Sequence, residues 1–92
     1  MQTKQPAEHQ ADDAKRVRKQ LRSIIGEQVI HVLGQPSGLQ RVQVRKLWDD
    51  RYRVNIYIGP DPTSAIVAHS FFLVTDAEGN IIAATPRITK QY

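Results

Sequence analysis

Apolar residues recur at helical spacing in the first third of the chain. Four of them fall at i, i+3, i+7 and i+10 and so share one helix face: Ala14, Val17, Leu21 and Ile24. The aspartates at 12–13 are suitable N-terminal caps, and Gly26 stands where a C′ glycine would end the helix. The pattern predicts one amphipathic helix over about residues 12–26. The polar, unpatterned residues 1–11 are typical of a disordered tail.

Short runs typical of β-strands follow the helix. The first is the apolar run VIHVLG at 29–34, which the turn signal QPSG ends. Residues 39–48 and 51–59 then alternate between apolar and polar side chains, which predicts two strands with one buried face each. A three-residue loop over 49–51 keeps the apolar sides together through these pairs: Trp48 with Tyr52, Val44 with Ile56, and Val42 with Ile58.

The stretch AIVAHSFFLVT at 65–75 is apolar without alternation, so both of its faces require cover. The two prolines of GPDPTS, at 59–64, predict a loop before it. TDAEGNI, at 75–81, predicts a hairpin loop with Gly79 in the left-handed conformation. The predicted cross-strand pairs of this hairpin are Val74 with Ile82 and Phe72 with Ala84. One side then carries Ile66, Ala68, Phe72 and Val74, and the other carries Val67, Phe71, Leu73, Ile81 and Ala83.

The order of these elements predicts an α+β fold, in which one N-terminal amphipathic helix packs on an antiparallel meander of four to five strands. A chain of 92 residues is short for more than one domain, and residues 12–92 are predicted to form a single one. One helix covers only one face of such a sheet. The other face of the last hairpin is therefore expected to need a partner.

The leading hypothesis from the sequence is a small non-catalytic binding or interaction module that forms a homodimer. If the helix covers the side with Phe72 and Val74, the opposite side of the 65–85 hairpin is an exposed apolar patch. A symmetric dimer would bury this patch. The predicted interface residues are Val67, His69, Phe71, Leu73, Ile81 and Ala83.

The composition adds a mild positive charge and excludes cysteine chemistry. Thirteen Lys and Arg residues against nine Asp and Glu give a formal charge of +4, and the chain has no Cys. Disulfides and thiolate ligands are thus ruled out. The N-terminus lacks the apolar region of a secretory signal, and no apolar run is long enough to cross a membrane. We therefore expect a cytoplasmic protein without a membrane partner.

Polar residues gather on the outward side of the second and third predicted strands. They are Arg41, Gln43, Arg45, Arg53, Asn55 and Tyr57, with Arg45 opposite Asn55 and Gln43 opposite Tyr57. Guanidinium groups beside an aromatic ring suit phosphate and base recognition. The first alternative function is therefore nucleic-acid binding through Arg41, Arg45, Arg53, Asn55 and Tyr57. An ordinary solvated sheet face has the same composition, and solvation also explains the basic side of the helix: Lys15, Arg16, Arg18, Lys19 and Arg22.

The sequence shows no motif for catalysis, a metal or a cofactor. The three histidines, His9, His31 and His69, lack the spacing with carboxylates that a zinc site needs. His69 is interpreted as a strand histidine that bonds to a hydroxyl or a backbone group. The serines lack an adjacent base, and glycine-rich phosphate motifs are absent. The sequence thus favours a protein without enzymatic activity, while a small-molecule sensor or enzyme remains the second alternative, with a pocket lined by Tyr52, His69, Phe71 and Phe72.

Overall fold

The protein has one long helix packed against a four-stranded antiparallel sheet, as the element order predicted. The computed structural model describes the backbone of residues 4–92 and the side chains of residues 14–92. The sheet has the strand order β1-β2-β3-β4, so every neighbour in the sheet is also a neighbour in sequence. The elements are α1 (Lys4–Leu33), β1 (Leu39–Trp48), β2 (Arg51–Ile58), a short 3-10 helix (Pro62–Ser64), β3 (Ile66–Thr75) and β4 (Ile81–Thr85).

Helix α1 is longer than the predicted segment 12–26, and the strand predicted at 29–34 is wrong because that segment forms the last turns of the helix. Gly26 does not end the helix. It allows α1 to lie close to the sheet, since a Cβ at this position would stand 3.3 Å from Cγ1 of Val42. The helix closes instead at Gly34, where φ is +91° and the amide donates to the carbonyl of Ile30.

The N-terminal part of the chain is described only in part. Residues 1–3 lie outside the described residues, and for residues 4–13, which include His9, only the backbone is described. Helix α1 begins at Lys4, within the segment 1–11 that the composition assigned to a disordered tail. The disordered tail and the single domain over 12–92 stay predictions. Within the described residues, no helix is long and apolar enough to cross a membrane.

Strands β1 and β2 are joined by a two-residue turn, so the predicted three-residue loop is wrong. Asp49 adopts φ +47° in this turn, and Trp48 pairs with Arg51. The register shifts between Lys46 and Trp48, and Leu47 is the extra residue of this β-bulge. The shift restores the match of apolar faces that a regular two-residue hairpin would lose. The observed pairs are Val44 with Val54 and Val42 with Ile56, which are two residues away from the predicted register.

The β3–β4 hairpin contains the predicted loop with Gly79 at φ +89°, but its register differs from the prediction. The observed pairs are Leu73 with Ala84, Val74 with Ala83, and Phe72 with Thr85. A shift follows between Val74 and Thr75. The loop is built on Asp76, whose carboxylate accepts hydrogen bonds from the amides of Glu78 and Asn80. Helix α1 supports the loop through Gln28, which donates to the carbonyl of Gly79 and accepts from the amide of Ile81.

The core lies between α1 and one face of the sheet, and it reverses the predicted faces of β3. Phe71 and Leu73 point toward α1 and are buried, at 4% and 0% exposure, whereas Phe72 points away from the helix. The pairing of Phe72 with Arg53 fixes this direction, because Arg53 lies on the polar side of β2. The buried apolar side chains are Ile25, Val29 and Leu33 of α1, Tyr52, Val54 and Ile56 of β2, and Phe71 and Leu73 of β3.

The residues after β4 return to the end of the helix. The strand ends at Thr85, directly before Pro86, as predicted. The amides of Gln91 and Tyr92 both donate to the carbonyl of Leu33, at 2.8 and 3.1 Å. A helix leaves its last carbonyls without partners inside the helix, and these bonds satisfy one of them. The C-terminal residues are thus anchored against α1 and do not form a fifth strand.

Candidate nucleic-acid interface

The side of the sheet that faces away from α1, here called the outer face, collects all five residues predicted for anion or nucleic-acid binding. They are Arg41 and Arg45 of β1 and Arg53, Asn55 and Tyr57 of β2. Their cross-strand partners differ from the prediction because of the bulge at Leu47. The observed pairs are Arg41 with Tyr57, Gln43 with Asn55, and Arg45 with Arg53.

A chain of hydrogen bonds fixes the polar side chains in the middle of the outer face. Arg53 Nη1 donates to Ser70 Oγ at 3.5 Å, and Ser70 Oγ donates to Asn55 Oδ1 at 2.7 Å. Asn55 Nδ2 and Tyr57 Oη both donate to Gln43 Oε1, at 3.1 and 3.2 Å. Since Gln43 accepts with its oxygen, its amide NH₂ group is the donor left for a ligand. The network holds β1, β2 and β3 side chains in one orientation.

Aromatic rings lie at both ends of this polar centre. At one end, the guanidinium of Arg41 lies over the ring of Tyr57, with Cζ 4.2 Å from the ring centroid. At the other end, the rings of Trp48 and Phe72 are 6.1 Å apart and inclined at 39°. Arg51 Cζ lies 6.0 Å from the centroid of Trp48. Trp48 is 54% exposed, so about half of its surface is accessible to solvent.

Sequence reasoning missed Trp48 and Phe72 as residues of this face. Trp48 was assigned to the core side because it continues the alternation of Val42 and Val44. The bulge at Leu47 inserts one residue and turns Trp48 to the outer face. A two-residue turn at 49–50 places the apolar residues of β1 and β2 on the same face only if one of the strands contains a bulge. This requirement was the signal in the sequence that could have revealed the position of Trp48.

The charged side chains at the strand positions of the outer face are all positive. Its strand positions on β1 to β3 hold Arg41, Arg45, Arg51 and Arg53 and no Asp or Glu. Carboxylates lie in the loops at its ends. Arg45 and Arg53 are directly opposite each other on neighbouring strands. Like charges in such a pair disfavour folding, so an anion that binds between them is stabilised by both.

The loop carboxylates have structural roles. Asp61 caps the short 3-10 helix, and hydrogen bonds from Thr63 and Ser64 hold the pKa of its carboxyl below the usual value. Asp76 orders the β3–β4 loop, and hydrogen bonds from Asn80 lower the pKa of its carboxyl in the same way. Among the described residues there is no cluster of three or more His, Asp or Glu side chains that could hold a metal ion.

The six residues predicted as a dimer interface do not form one exposed patch. Phe71 and Leu73 belong to the core, so the patch as predicted is not available. Ile81 is half-buried beside α1, and Ala83 faces outward at the edge strand. Val67 is exposed near the start of β3. Whether two chains associate through the 65–85 hairpin stays a prediction.

His69 is bonded as the sequence indicated, and its partner is a hydroxyl group. Its Nε2 lies 2.8 Å from Oη of Tyr92, and the two rings meet edge to face at 5.6 Å. The pocket predicted between helix and sheet is not formed by its four proposed residues. Tyr52 and Phe71 are packed in the core, and Phe72 lies on the opposite side of the sheet.

The basic side of α1 is solvent-exposed, as the sequence predicted. Lys15, Arg18, Lys19 and Arg22 are all exposed, and they lie on the opposite side of the molecule from the outer face. The side chains of residues 14–92 therefore form two separated basic surfaces, and of these two the one on the sheet combines arginines with aromatic rings.

Comparisons of the chain with protein family models, with curated proteins and with solved structures find no match.

Proposed function

We propose that this protein binds single-stranded nucleic acid through the outer face of β1, β2 and β3. The observation that carries the proposal is the alignment of four arginines and three aromatic rings on one side of the sheet, with no carboxylate among its strand positions. Proteins that bind single strands combine these two components, a positive surface for phosphates and aromatic side chains on which bases stack. Binding is proposed without a catalytic step.

The arginines supply the phosphate contacts. Arg45 and Arg53 face each other across β1 and β2, at the distance of directly opposed side chains, about 5 Å between Cβ atoms. A phosphate between them accepts hydrogen bonds from both guanidinium groups and removes their mutual repulsion. Arg51 and Arg41 extend the positive charge toward the two ends of the face.

The aromatic rings supply the base contacts. Trp48 with Phe72 forms one stacking position, and Tyr57 with Arg41 forms another, on opposite sides of the polar centre. They are separated by the length of β2 from Arg51 to Tyr57, which corresponds to about 20 Å of extended strand. A single strand presents unpaired bases to such rings, whereas a duplex keeps its bases stacked inside. The geometry therefore favours single strands over duplexes.

The other two functions considered from the sequence receive less support. The homodimer patch loses Phe71 and Leu73 to the core, and the helix-sheet pocket loses Phe72 to the outer face. The outer face, in contrast, keeps all five residues predicted for it and gains Trp48, Arg51 and Phe72.

Fluorescence anisotropy of a labelled oligonucleotide tests the proposal. The wild-type protein is compared with the double variant Arg45→Ala/Arg53→Ala and with a control, Lys15→Ala/Arg18→Ala, that removes the same charge from the exposed side of α1. We expect the control to bind as the wild type does and the outer-face variant to bind more weakly. Equal affinities for the two double variants would show that net charge, and not the outer face, attracts the oligonucleotide.

Salt dependence and strand state sharpen the same experiment. Each phosphate contact on a single strand contributes about 0.7 to the magnitude of the slope of log K against log salt, so the loss of two arginines should lower that magnitude by about 1.4.

Trp48→Ala should weaken binding by about 1 to 3 kcal/mol, the range for loss of one base stack. Duplex of the same sequence should bind more weakly than the single strand. A preference for duplex would contradict the stacking model.

A further inference from the structure

The hydrogen bonds at the centre of the outer face form a relay that runs in one direction. Arg53 can only donate, and its Nη1 lies 3.5 Å from Ser70 Oγ. Ser70 donates to Asn55 Oδ1, and Asn55 Nδ2 donates to Gln43 Oε1. The amide oxygens of Asn55 and Gln43 are therefore acceptors within the relay, and the NH₂ group of Gln43 lies at its end.

The hydroxyl group of Tyr57 joins the relay at Gln43. Tyr57 Oη donates to Gln43 Oε1 at 3.2 Å, so this oxygen accepts from two donors and both of its lone pairs are occupied. Toward a ligand, Gln43 can then only donate, through Nε2. Because the hydrogen of the Tyr57 hydroxyl is already donated, its oxygen can only accept from a ligand. A donor and an acceptor thus lie side by side.

This donor and acceptor lie beside one of the two stacking positions. The guanidinium of Arg41 lies over the ring of Tyr57, with Cζ 4.2 Å from the ring centroid, and a base can stack on a guanidinium plane. The hydroxyl is at the end of that ring. A base that stacks there with its sugar toward solvent therefore points its outer edge at Gln43 Nε2 and Tyr57 Oη. Both side chains are half-buried, so a ligand can reach them.

The bases of nucleic acids fall into two groups by the two neighbouring atoms at this outer edge. Thymine, uracil and guanine carry a keto oxygen, which accepts, next to a ring N–H, which donates. Cytosine and adenine carry an amino group, which donates, next to a ring nitrogen, which accepts. A site with a donor beside an acceptor matches the first group at both positions and opposes the second group at both.

We infer that Gln43 and Tyr57 select bases with a keto oxygen, so that the outer face prefers strands rich in thymine, uracil or guanine to strands rich in cytosine or adenine. The inference rests on the proposed binding of single strands. Gln43 Nε2 donates to the keto oxygen of the base, and the ring N–H of the base donates to Tyr57 Oη. A contact of two such bonds discriminates between bases by about 5-fold or more.

Fluorescence anisotropy at neutral pH compares oligothymidylate with oligocytidylate of equal length, because the two bases have the same ring size. We expect the wild type to bind oligothymidylate about 5-fold or more tightly. Uracil has the same outer edge as thymine, so oligouridylate should exceed the ribonucleotide form of oligocytidylate in the same way. The tighter of the thymine and uracil strands identifies DNA or RNA as the source of the base. Equal affinities for thymine and cytosine strands, or tighter binding of cytosine, overturn the inference.

The variant Gln43→Glu tests the donor. Glutamate keeps an oxygen as acceptor for Asn55 and Tyr57 but has no N–H, so the preference for thymine should disappear or invert, while the added charge weakens binding of both strands. The matched control is Gln40→Glu, which adds the same charge on β1 at a side chain that bonds to the carbonyl of Gly59 and not to the relay. The control should keep the wild-type preference. An unchanged preference in Gln43→Glu overturns the role of Gln43.

The variant Tyr57→Phe tests the acceptor and keeps the ring. It should lower the affinity for oligothymidylate more than that for oligocytidylate, and an equal loss contradicts the selection.

The variant Arg45→Ala/Arg53→Ala separates this inference from the proposed function. If neither strand binds to the wild type, the proposed function fails and the base selection fails with it. If both strands bind equally and the arginine variant weakens both, the proposed function stands and the base selection is wrong.

Discussion

Removal of the Gln28 side chain tests whether the helix holds the β3–β4 loop in place. Gln28 Nε2 donates to the carbonyl of Gly79 at 2.6 Å, and its Oε1 accepts from the amide of Ile81 at 3.1 Å. One side chain thus binds two backbone groups of the segment that leads into β4. In the variant Gln28→Ala both backbone groups lose their partner.

The expected magnitude follows from these two bonds. Each contributes about 0.5 to 1.5 kcal/mol net, so their loss should cost about 1 to 3 kcal/mol of unfolding free energy. Alanine has a slightly higher helix propensity than glutamine, which offsets this loss by a few tenths of a kcal/mol. We therefore expect Gln28→Ala to destabilise the protein by about 1 to 2.5 kcal/mol.

Urea denaturation measures the change, and hydrogen exchange locates it. Gln20→Ala is the matched control because Gln20 is exposed on the same helix, and it should change stability by less than about 0.5 kcal/mol. In Gln28→Ala the amide of Ile81 should exchange faster than in the control. Equal stability of the two variants, or unchanged protection of the Ile81 amide, would refute the role assigned to Gln28.

Three further changes test the core and the two turns. Leu73→Ala removes a fully buried side chain and should lower the unfolding free energy by about 2 to 5 kcal/mol in urea denaturation, which an outward-facing residue would not do. Asp49→Val places a β-branched residue at φ +47° and should cost about 1 to 2 kcal/mol by the same assay, whereas Asp49→Gly should not destabilise. Asp76→Ala removes a carboxyl whose pKa is lowered by bonds from Asn80. Because that pKa is lower in the folded state, its stabilising effect is present above about pH 4 and is lost as pH falls through the folded pKa, so thermal unfolding of variant and wild type should differ at neutral pH and converge in acid.

Strands β1 and β2 could be predicted from the sequence because alternation marks them directly, and β3 and β4 because the loop signals at 59–64 and 75–81 and Pro86 bound them. The observed bounds of β1, residues 39–48, are those predicted, and β2, β3 and β4 agree within one residue. The end of α1 could not be read from Gly26, because a glycine serves a close contact as well as a helix end. The buried residues Ile25, Val29 and Leu33, four apart, show that the helical pattern continues past this glycine.

The outer face was predictable in composition but not in detail. Alternation in β1 and β2 separates the arginines from Val42, Val44, Val54 and Ile56, whatever the register. A bulge breaks that simple rule, and one extra residue at Leu47 was enough to misplace Trp48. For β3 no alternation exists, so only its pairing with Arg53 decides that Phe72 points outward and Phe71 inward. Which side chains of β3 face the helix is thus decided by the pairing of strands in the sheet and not by the sequence of β3 alone.

The most direct test of the proposed function uses Trp48, the only tryptophan in the chain, as an intrinsic probe. Its indole lies on the outer face beside Phe72 and is 54% exposed, so a base that stacks on it changes its emission. Titration with an unlabelled single-stranded oligonucleotide should quench the fluorescence saturably, less at high salt and less in Arg45→Ala/Arg53→Ala. Emission that single strands leave unchanged, or that duplex changes equally, would contradict the proposal.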